Sequence, residues 1–325
     1  MSKRVLWVLF LSGALCFSGS ILAKGDAPKR PPAGPPGKDK GKDKTTTTKP
    51  ADESDKPPVF LQPTTKQAEA MRKKAEKFAI KTREFTPTVH LVETKHFLIF
   101  SPWNRSGDRK LAEVCEKMYK VMCKQFDVPA EENVWVGKCP IYIFDRPERF
   151  EKFCLEVDKR GHPKAGGYCA YDSGGFVYIV MNECGTRTRF YEVLVHEASH
   201  GFLWRYCHHR RIPIWLNEGL AEYMASTLVP TCHAARNCKA ATKEAIRDKK
   251  DVSYIFSHVG LEAFDYGIAQ SLVRFLIAKN RKGFVKLVNL LKEGKTEAEA
   301  LQEAYNVTQK DLLKAWYRAA SKAVR

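Results

Sequence analysis

The chain has 325 residues, of which 44% are hydrophobic, and it carries a formal net charge of +18. This length and composition allow one large domain or two ordinary ones with a sizeable core, and they exclude a wholly disordered or collagen-like protein. The excess of basic residues raises the question of nucleic-acid binding, and the ten cysteines raise that of disulfides or bound metal.

Residues 1–23 have the features of a secretory signal. Lys3 and Arg4 precede a mostly apolar run that ends at the small residue Ala23. Gly13 and Gly19 interrupt this run and make it a poor membrane-spanning helix, and the alternative is an uncleaved signal anchor. No later run is apolar and long enough to cross a bilayer. The mature protein is therefore predicted to be soluble and secreted, periplasmic or held at the cell envelope.

The segment that follows is polar. Residues 24–58 are mostly Pro, Gly, Lys, Asp and Thr without an aromatic residue, so they are predicted to be a disordered tether. Residues 59–325 are predicted to form one domain, and they retain a net charge of +13.

The hydrophobic patterns of this domain predict a sheet-bearing half followed by a helical half, which is an α+β arrangement. The predicted elements are a helix at 66–85, strands at 88–93 and 96–101, a helix at 108–126, a strand at 139–144, a helix at 147–157, a strand at 176–181, and helices at 188–206, 213–227, 264–279, 282–293, 296–304 and 309–322.

Nine cysteines remain after removal of the signal, in a compartment that favours disulfides. Because nine is odd, at least one thiol is free, metal-bound or intermolecular. The absence of a C-x-x-C pair argues against a zinc ribbon or a thioredoxin-type motif. Cys232 and Cys238 are predicted to lie in a loop and to form a local disulfide. The alternative is a second metal site built from these cysteines together with Cys207, His208, His209 and His233.

The helix at 188–206 contains the sequence His-Glu-Ala-Ser-His at residues 196–200. His196 and His200 lie one turn apart on the same face, so both imidazoles can bind one metal ion. Glu197 lies beside them and can serve as the general base for a metal-bound water. The alternative is a pair of histidines on a solvated helix face.

The next helix carries the sequence W-L-N-E-G-L-A-E-Y at residues 215–223. A catalytic zinc site needs a third protein ligand and an open position, and Glu218 is predicted to supply that ligand. Glu222 lies one turn further on and is predicted to accept a hydrogen bond from the free ring nitrogen of a ligating histidine. Asn217, next to the ligand, is assigned to the same supporting shell.

The two motifs together closely resemble the gluzincin metallopeptidases of the peptidase MA superfamily, which include aminopeptidase N-type and thermolysin-type enzymes. The resemblance implies a zincin-like fold in which Zn²⁺ is bound by His196, His200 and Glu218. It also implies that Glu197 activates water and that Glu222 supports a histidine. The C-terminal helices are similar to those of secreted bacterial peptidase-MA-like domains.

Two further expectations come from this resemblance. Gluzincins often set a tyrosine against the developing oxyanion, and Tyr266 is the candidate here, the alternative being a tyrosine packed in the core. Zincins also hold substrate along an edge strand, and residues 176–181 are expected to be that edge, with 166–171 as their partner. The G-A-M-E-N segment of aminopeptidase N-type enzymes is missing, so aminopeptidase activity is not implied.

The leading hypothesis is thus a secreted zinc peptidase that acts on peptide or protein substrates. A non-catalytic binding module on the same scaffold, at the cell envelope, is the alternative. Aromatic residues are not interleaved with the basic ones, which argues against specific nucleic-acid binding. The basic surface is instead interpreted as suited to acidic substrates or to polyanions of the envelope.

Overall fold

The computed structural model describes residues 63–324 apart from residues 130, 160–165, 173, 184, 208–209 and 258–259. The predicted signal and tether, and the histidines His208 and His209, lie outside the described residues. The elements, in chain order, are α1 (Thr65–Phe85), β1 (His90–Glu93), β2 (Phe97–Ser101), α2 (Arg105–Gln125), β3 (Cys139–Phe144), α3 (Pro147–Glu156), β4 (Gly167–Tyr171), β5 (Val177–Asn182), α4 (Arg187–Arg205), α5 (Ile214–Leu228), α6 (His233–Arg247), a short 3-10 helix (Ser253–Phe256), α7 (Ala263–Lys279), α8 (Arg281–Glu293), α9 (Glu297–Tyr305) and α10 (Gln309–Val324).

This arrangement confirms the α+β class, with a sheet in the first half and helices in the second. The elements that the sequence predicted begin and end within three residues of their expected bounds. Among the described residues, no helix is both long enough and apolar enough to span a membrane.

The five strands form one mixed sheet in the order β1-β2-β3-β5-β4. β2, β3 and β5 run parallel, while β1 and β4 pair antiparallel with their neighbours. The prediction that 176–181 is the edge was therefore wrong, because β5 lies between β3 and β4. Residues 167–171 are its partner, as predicted, and β4 is itself the edge. The unbroken apolar sequence of β5 fits its interior position, since a strand buried on both faces does not alternate.

Helices cover both faces of the sheet. Alternate strand residues contribute to two clusters, so that Ile99 packs toward α2 and α4 while Phe100 packs toward α1 and α3. The larger cluster continues from the sheet through α4 and α5 as far as Trp316 in α10. The helix α4 therefore lies between the sheet and the C-terminal helices, and it is buried on nearly all sides over residues 192–203.

Helix α6 was not predicted: Cys232 and Cys238 were expected in a loop, and no helix was assigned between residues 227 and 264. Its buried side has a helical spacing, but that side consists of Ala234, Cys238, Ala241 and Ala245. Small side chains bury little apolar area and give a weak periodic signal, so the helix depends on packing against α7 and α5.

The predicted Cys232–Cys238 disulfide is also wrong, since the two residues are not bonded to each other and both are thiols. Cys232 is the N-cap residue of α6 and Cys238 is buried within that helix. Six residues of helix separate the two Cα atoms by roughly 9 Å along the axis, beyond the reach of a disulfide.

Glycine at position 219 lets α5 and α7 come into backbone contact. A Cβ at Gly219 would lie 2.5 Å from the carbonyl oxygen of Ala269 and 2.7 Å from its carbonyl carbon. Backbone atoms cannot rotate away as a side chain does, so the two helices would have to separate. The packing of α7 against α5 therefore requires a small residue directly after Glu218.

We expect Gly219→Ala to lower the free energy of unfolding by about 1–3 kcal/mol, the usual cost of overpacking a close contact. Gly260→Ala is the control, because a Cβ there has no atom within 4 Å and should be neutral or slightly stabilising. Urea unfolding of both variants tests this, and equal stability of the two would contradict the proposed contact.

Candidate metal centre

Helices α4 and α5 cross so that three side chains with ligand atoms converge. The Nε2 atoms of His196 and His200 lie 3.1 Å apart. Oε2 of Glu218 lies 3.3 Å from Nε2 of His196 and 3.4 Å from Nε2 of His200. The three residues are only 7%, 6% and 5% exposed, respectively. Among the described residues they are the group of His, Cys, Asp and Glu side chains whose geometry could hold a metal ion.

The second ring nitrogen of each histidine has a partner on α5. Nδ1 of His196 lies 3.1 Å from Oε1 of Glu222, and Nδ1 of His200 lies 3.0 Å from the side-chain amide of Asn217. A histidine that binds metal through Nε2 keeps its proton on Nδ1, and this N–H can donate a hydrogen bond to the Glu222 carboxylate. The Asn217 amide would do the same by presenting its oxygen, since its two ends are interchangeable by rotation. The structure thus brings together five of the six residues that the two motifs predicted for the site: the three candidate ligands and the partners of the two histidines.

Glu197 is buried beside this group and is held by the sheet. Its Oε2 accepts a hydrogen bond of 2.9 Å from the backbone N–H of Cys169 in the edge strand β4. Burial raises the pKa of Glu197, and the charge of Glu218 adds to this effect, while the two histidines oppose it. A carboxyl group whose pKa lies above its ordinary value is suited to carry a proton near neutral pH.

The charges of the cluster favour a cation between the histidines. Burial alone would lower the pKa of His196, but hydrogen bonds with Glu218 and Glu222 outweigh it and raise that pKa well above its usual value. Burial likewise opposes the charged form of Glu218, yet the two histidines lower the pKa of this carboxyl. A proton on the imidazole and a metal ion therefore compete for the same position, as expected for metal ligands.

Tyr266 lies in the first turn of α7, where its backbone N–H donates to the carbonyl of Glu262 at 3.0 Å. Its partly buried ring packs against the main core. Its assignment to the oxyanion stays a prediction.

One contact that supports the centre, and one buried carboxylate next to it on α4, were not predicted from the sequence. Cys169 supplies the N–H that fixes Glu197, and this contact depends on a sheet position that no local pattern reveals. Glu192, one turn before His196 on α4, is buried and accepts a 2.7 Å hydrogen bond from the N–H of Ala234 in the first turn of α6. Glu192 lies four residues before His196 on the same helix face as the two histidines, and this spacing could have drawn attention to it.

Comparison with known proteins agrees with this geometry. The family model described as peptidase MA superfamily matches residues 162–322. No curated protein sequence matches this chain. The matched segment begins before β4 and includes α4 and α5, so it contains every residue of the centre. The match over residues 162–322 supports an MA-clan peptidase-like protein.

Proposed function

We propose that this protein is an exported, zinc-dependent peptidase that hydrolyses peptide bonds with Glu197 as the proton carrier. The observation that carries the proposal is the buried group of two imidazoles and one carboxylate with a second buried carboxylate beside it. The signal-like first 23 residues support export, although they lie outside the described residues.

The donor set fits zinc better than other common divalent ions. Zinc held tetrahedrally with bonds of about 2.0–2.1 Å has its ligand atoms about 3.3–3.4 Å apart. The three observed separations are 3.1, 3.3 and 3.4 Å. Two imidazole nitrogens also argue against magnesium and calcium, which prefer oxygen ligands. His196, His200 and Glu218 would hold the ion and leave its fourth position open.

When bound, zinc would polarise the scissile carbonyl and acidify a water molecule. Glu197 takes the proton from the attacking water and returns it to the leaving amine, which its raised pKa favours. The hydrogen bond from Cys169 keeps one oxygen of this carboxylate in place. Glu222 and Asn217 fix the ring orientations of the two histidines.

The position of β4 suggests how substrate is held. Backbone hydrogen bonds join Gly166 to Asn182 and Asp172 to Phe176, so the even-numbered residues of β4 face β5. The N–H and C=O groups of Gly167, Cys169 and Tyr171 consequently point away from the sheet, as the Cys169–Glu197 contact shows. An extended peptide lying along this edge would pass directly over Glu197.

Metal content and cleavage of a peptide library, measured on the same preparation, test this function. We expect close to one zinc per chain, cleavage that a chelator abolishes, and recovery on addition of zinc. Stoichiometric zinc without cleavage of any peptide would instead indicate a non-catalytic binding module.

We also propose that acidic segments are preferred in the substrate. Four basic residues are exposed along a single stripe of α6, namely Arg236, Lys239, Lys243 and Arg247. Their spacing of three, four and four residues keeps them on one face of the helix. The N-terminus of α6 is bound to Glu192, one turn from His196, so the stripe begins beside the centre.

Lys239→Glu combined with Lys243→Glu should lower kcat/KM for an acidic protein substrate about 10-fold or more at low salt and leave a neutral peptide unaffected. The matched control is Lys73→Glu with Lys77→Glu, because α1 carries these exposed lysines on the opposite face of the sheet. If kcat/KM fell equally in both double variants, the effect would come from net charge and not from the stripe on α6. Unchanged cleavage with weaker retention on an anionic polymer would favour a polyanion as the partner.

A further inference from the structure

Helix α4 and the edge strand β4 lie side by side, and Glu197 lies on the border between them, called the α4–β4 border below. Oε2 of Glu197 is bound to the N–H of Cys169. One turn further along α4, a Cβ at Gly201 would come within 2.7 Å of Cγ1 of Val177 and 3.1 Å of Sγ of Cys169. Only a glycine fits there, so α4 passes close to β4 and β5 along the α4–β4 border.

An aromatic pair lies further along the α4–β4 border. The rings of Tyr171 and Trp204 stack with centroids 3.9 Å apart and an interplanar angle of 17°. Trp204 follows Glu197 by seven residues, which is two turns, so it lies on the same stripe of α4, roughly 10 Å further on. Tyr171 follows Cys169 by two residues, so it lies on the same side of β4, roughly 7 Å further on.

The pair is accessible, unlike the aromatic residues around it. Tyr171 and Trp204 are partly exposed, whereas Phe202 and Trp135, which meet edge to face, are buried in the core. Both rings pack against the larger cluster with part of their surface, and the remaining part is exposed. The exposed part offers an apolar surface along the α4–β4 border.

We propose that the Tyr171–Trp204 stack is a specificity subsite that binds an apolar, preferably aromatic, side chain of the substrate. An extended peptide advances about 3.3 Å per residue, so the stack lies two or three residues from the bond to be cleaved. Ring faces favour stacked or edge-to-face contact with a further aromatic side chain, and discriminate weakly among small residues. This inference rests on the proposed peptidase function for its substrate class.

The first test uses pairs of peptides that differ only in Phe or Gly at one position, moved stepwise from the cleaved bond. We expect kcat/KM to favour Phe at the second or third residue by about 10- to 200-fold, the range for an apolar pocket. Trp204→Ala should remove this preference while Trp204→Phe retains most of it and zinc content stays unchanged. A preference that survives in both Trp204→Ala and Tyr171→Ala would overturn the subsite.

A binding measurement separates the subsite from the chemistry. Zinc-loaded Glu197→Gln protein should bind the Phe peptide more tightly than the Gly peptide, and adding Trp204→Ala should make the two affinities equal. Equal affinities already in the Glu197→Gln protein would overturn the subsite even if the wild type cleaves peptides. A Trp204-dependent preference in binding, with no cleavage of any peptide by the wild type, would support the subsite and overturn the peptidase function.

Discussion

Replacing Glu197 with glutamine should slow peptide hydrolysis by about 10²- to 10⁴-fold, the usual contribution of a positioned acid–base group, while zinc stays bound. Glutamine has the same shape and its amide oxygen can still accept the N–H of Cys169, which now binds the carboxylate. It cannot take a proton from water near neutral pH. The three ligand atoms belong to other residues, so the ion should remain at one per chain.

Glu192→Gln is the matched control for this variant. Glu192 is a carboxylate as deeply buried as Glu197 and lies on the same helix, but it is bound to Ala234 and Arg189. The control should therefore cleave peptides at close to the wild-type rate. Initial rates and zinc content of both proteins decide the question: hydrolysis near the wild-type rate by Glu197→Gln would remove this residue from the mechanism.

The local part of the centre could be predicted from the sequence because helix geometry alone fixes it. A spacing of four residues puts His196 and His200 on one face, and the same spacing relates Glu218 to Glu222. Such relations need no knowledge of the tertiary fold. The crossing of α4 and α5 that brings Glu218 within 3.3 Å of His196 came from the family resemblance, since no pattern within either helix encodes it.

The part that escaped prediction depends on contacts between distant segments. The edge was assigned to residues 176–181 because they precede α4, but β-strand order depends on which strand inserts beside β3. The contact between Cys169 and Glu197 follows from that order and was missed with it. The disulfide between Cys232 and Cys238 was inferred from the compartment, and the helical geometry of α6 forbids it.

Zinc should stabilise the folded protein strongly, because its ligands come from both α4 and α5 and are assembled only in the folded state. A ligand present at about 1,000 times its Kd adds about 4 kcal/mol to the free energy of unfolding. For a domain of this size that corresponds to an increase in Tm of about 8–16 °C. His200→Ala removes one ligand and should abolish most of the increase.

Glu222→Gln tests the support of His196 separately, since it leaves all three ligand atoms in place and alters only the partner of Nδ1. Zinc affinity should fall about 10- to 100-fold, as for other partners of ligating histidines, and the increase in Tm should shrink without disappearing. His90→Ala is the control, because His90 is half exposed and paired with Asp108 away from the centre. Thermal unfolding with and without zinc, measured on all three variants, ranks these effects.

If His200→Ala kept the full zinc-dependent increase in Tm, the ion would be bound elsewhere. If Glu222→Gln lost as much of this increase as His200→Ala, Glu222 would itself have to count among the ligands.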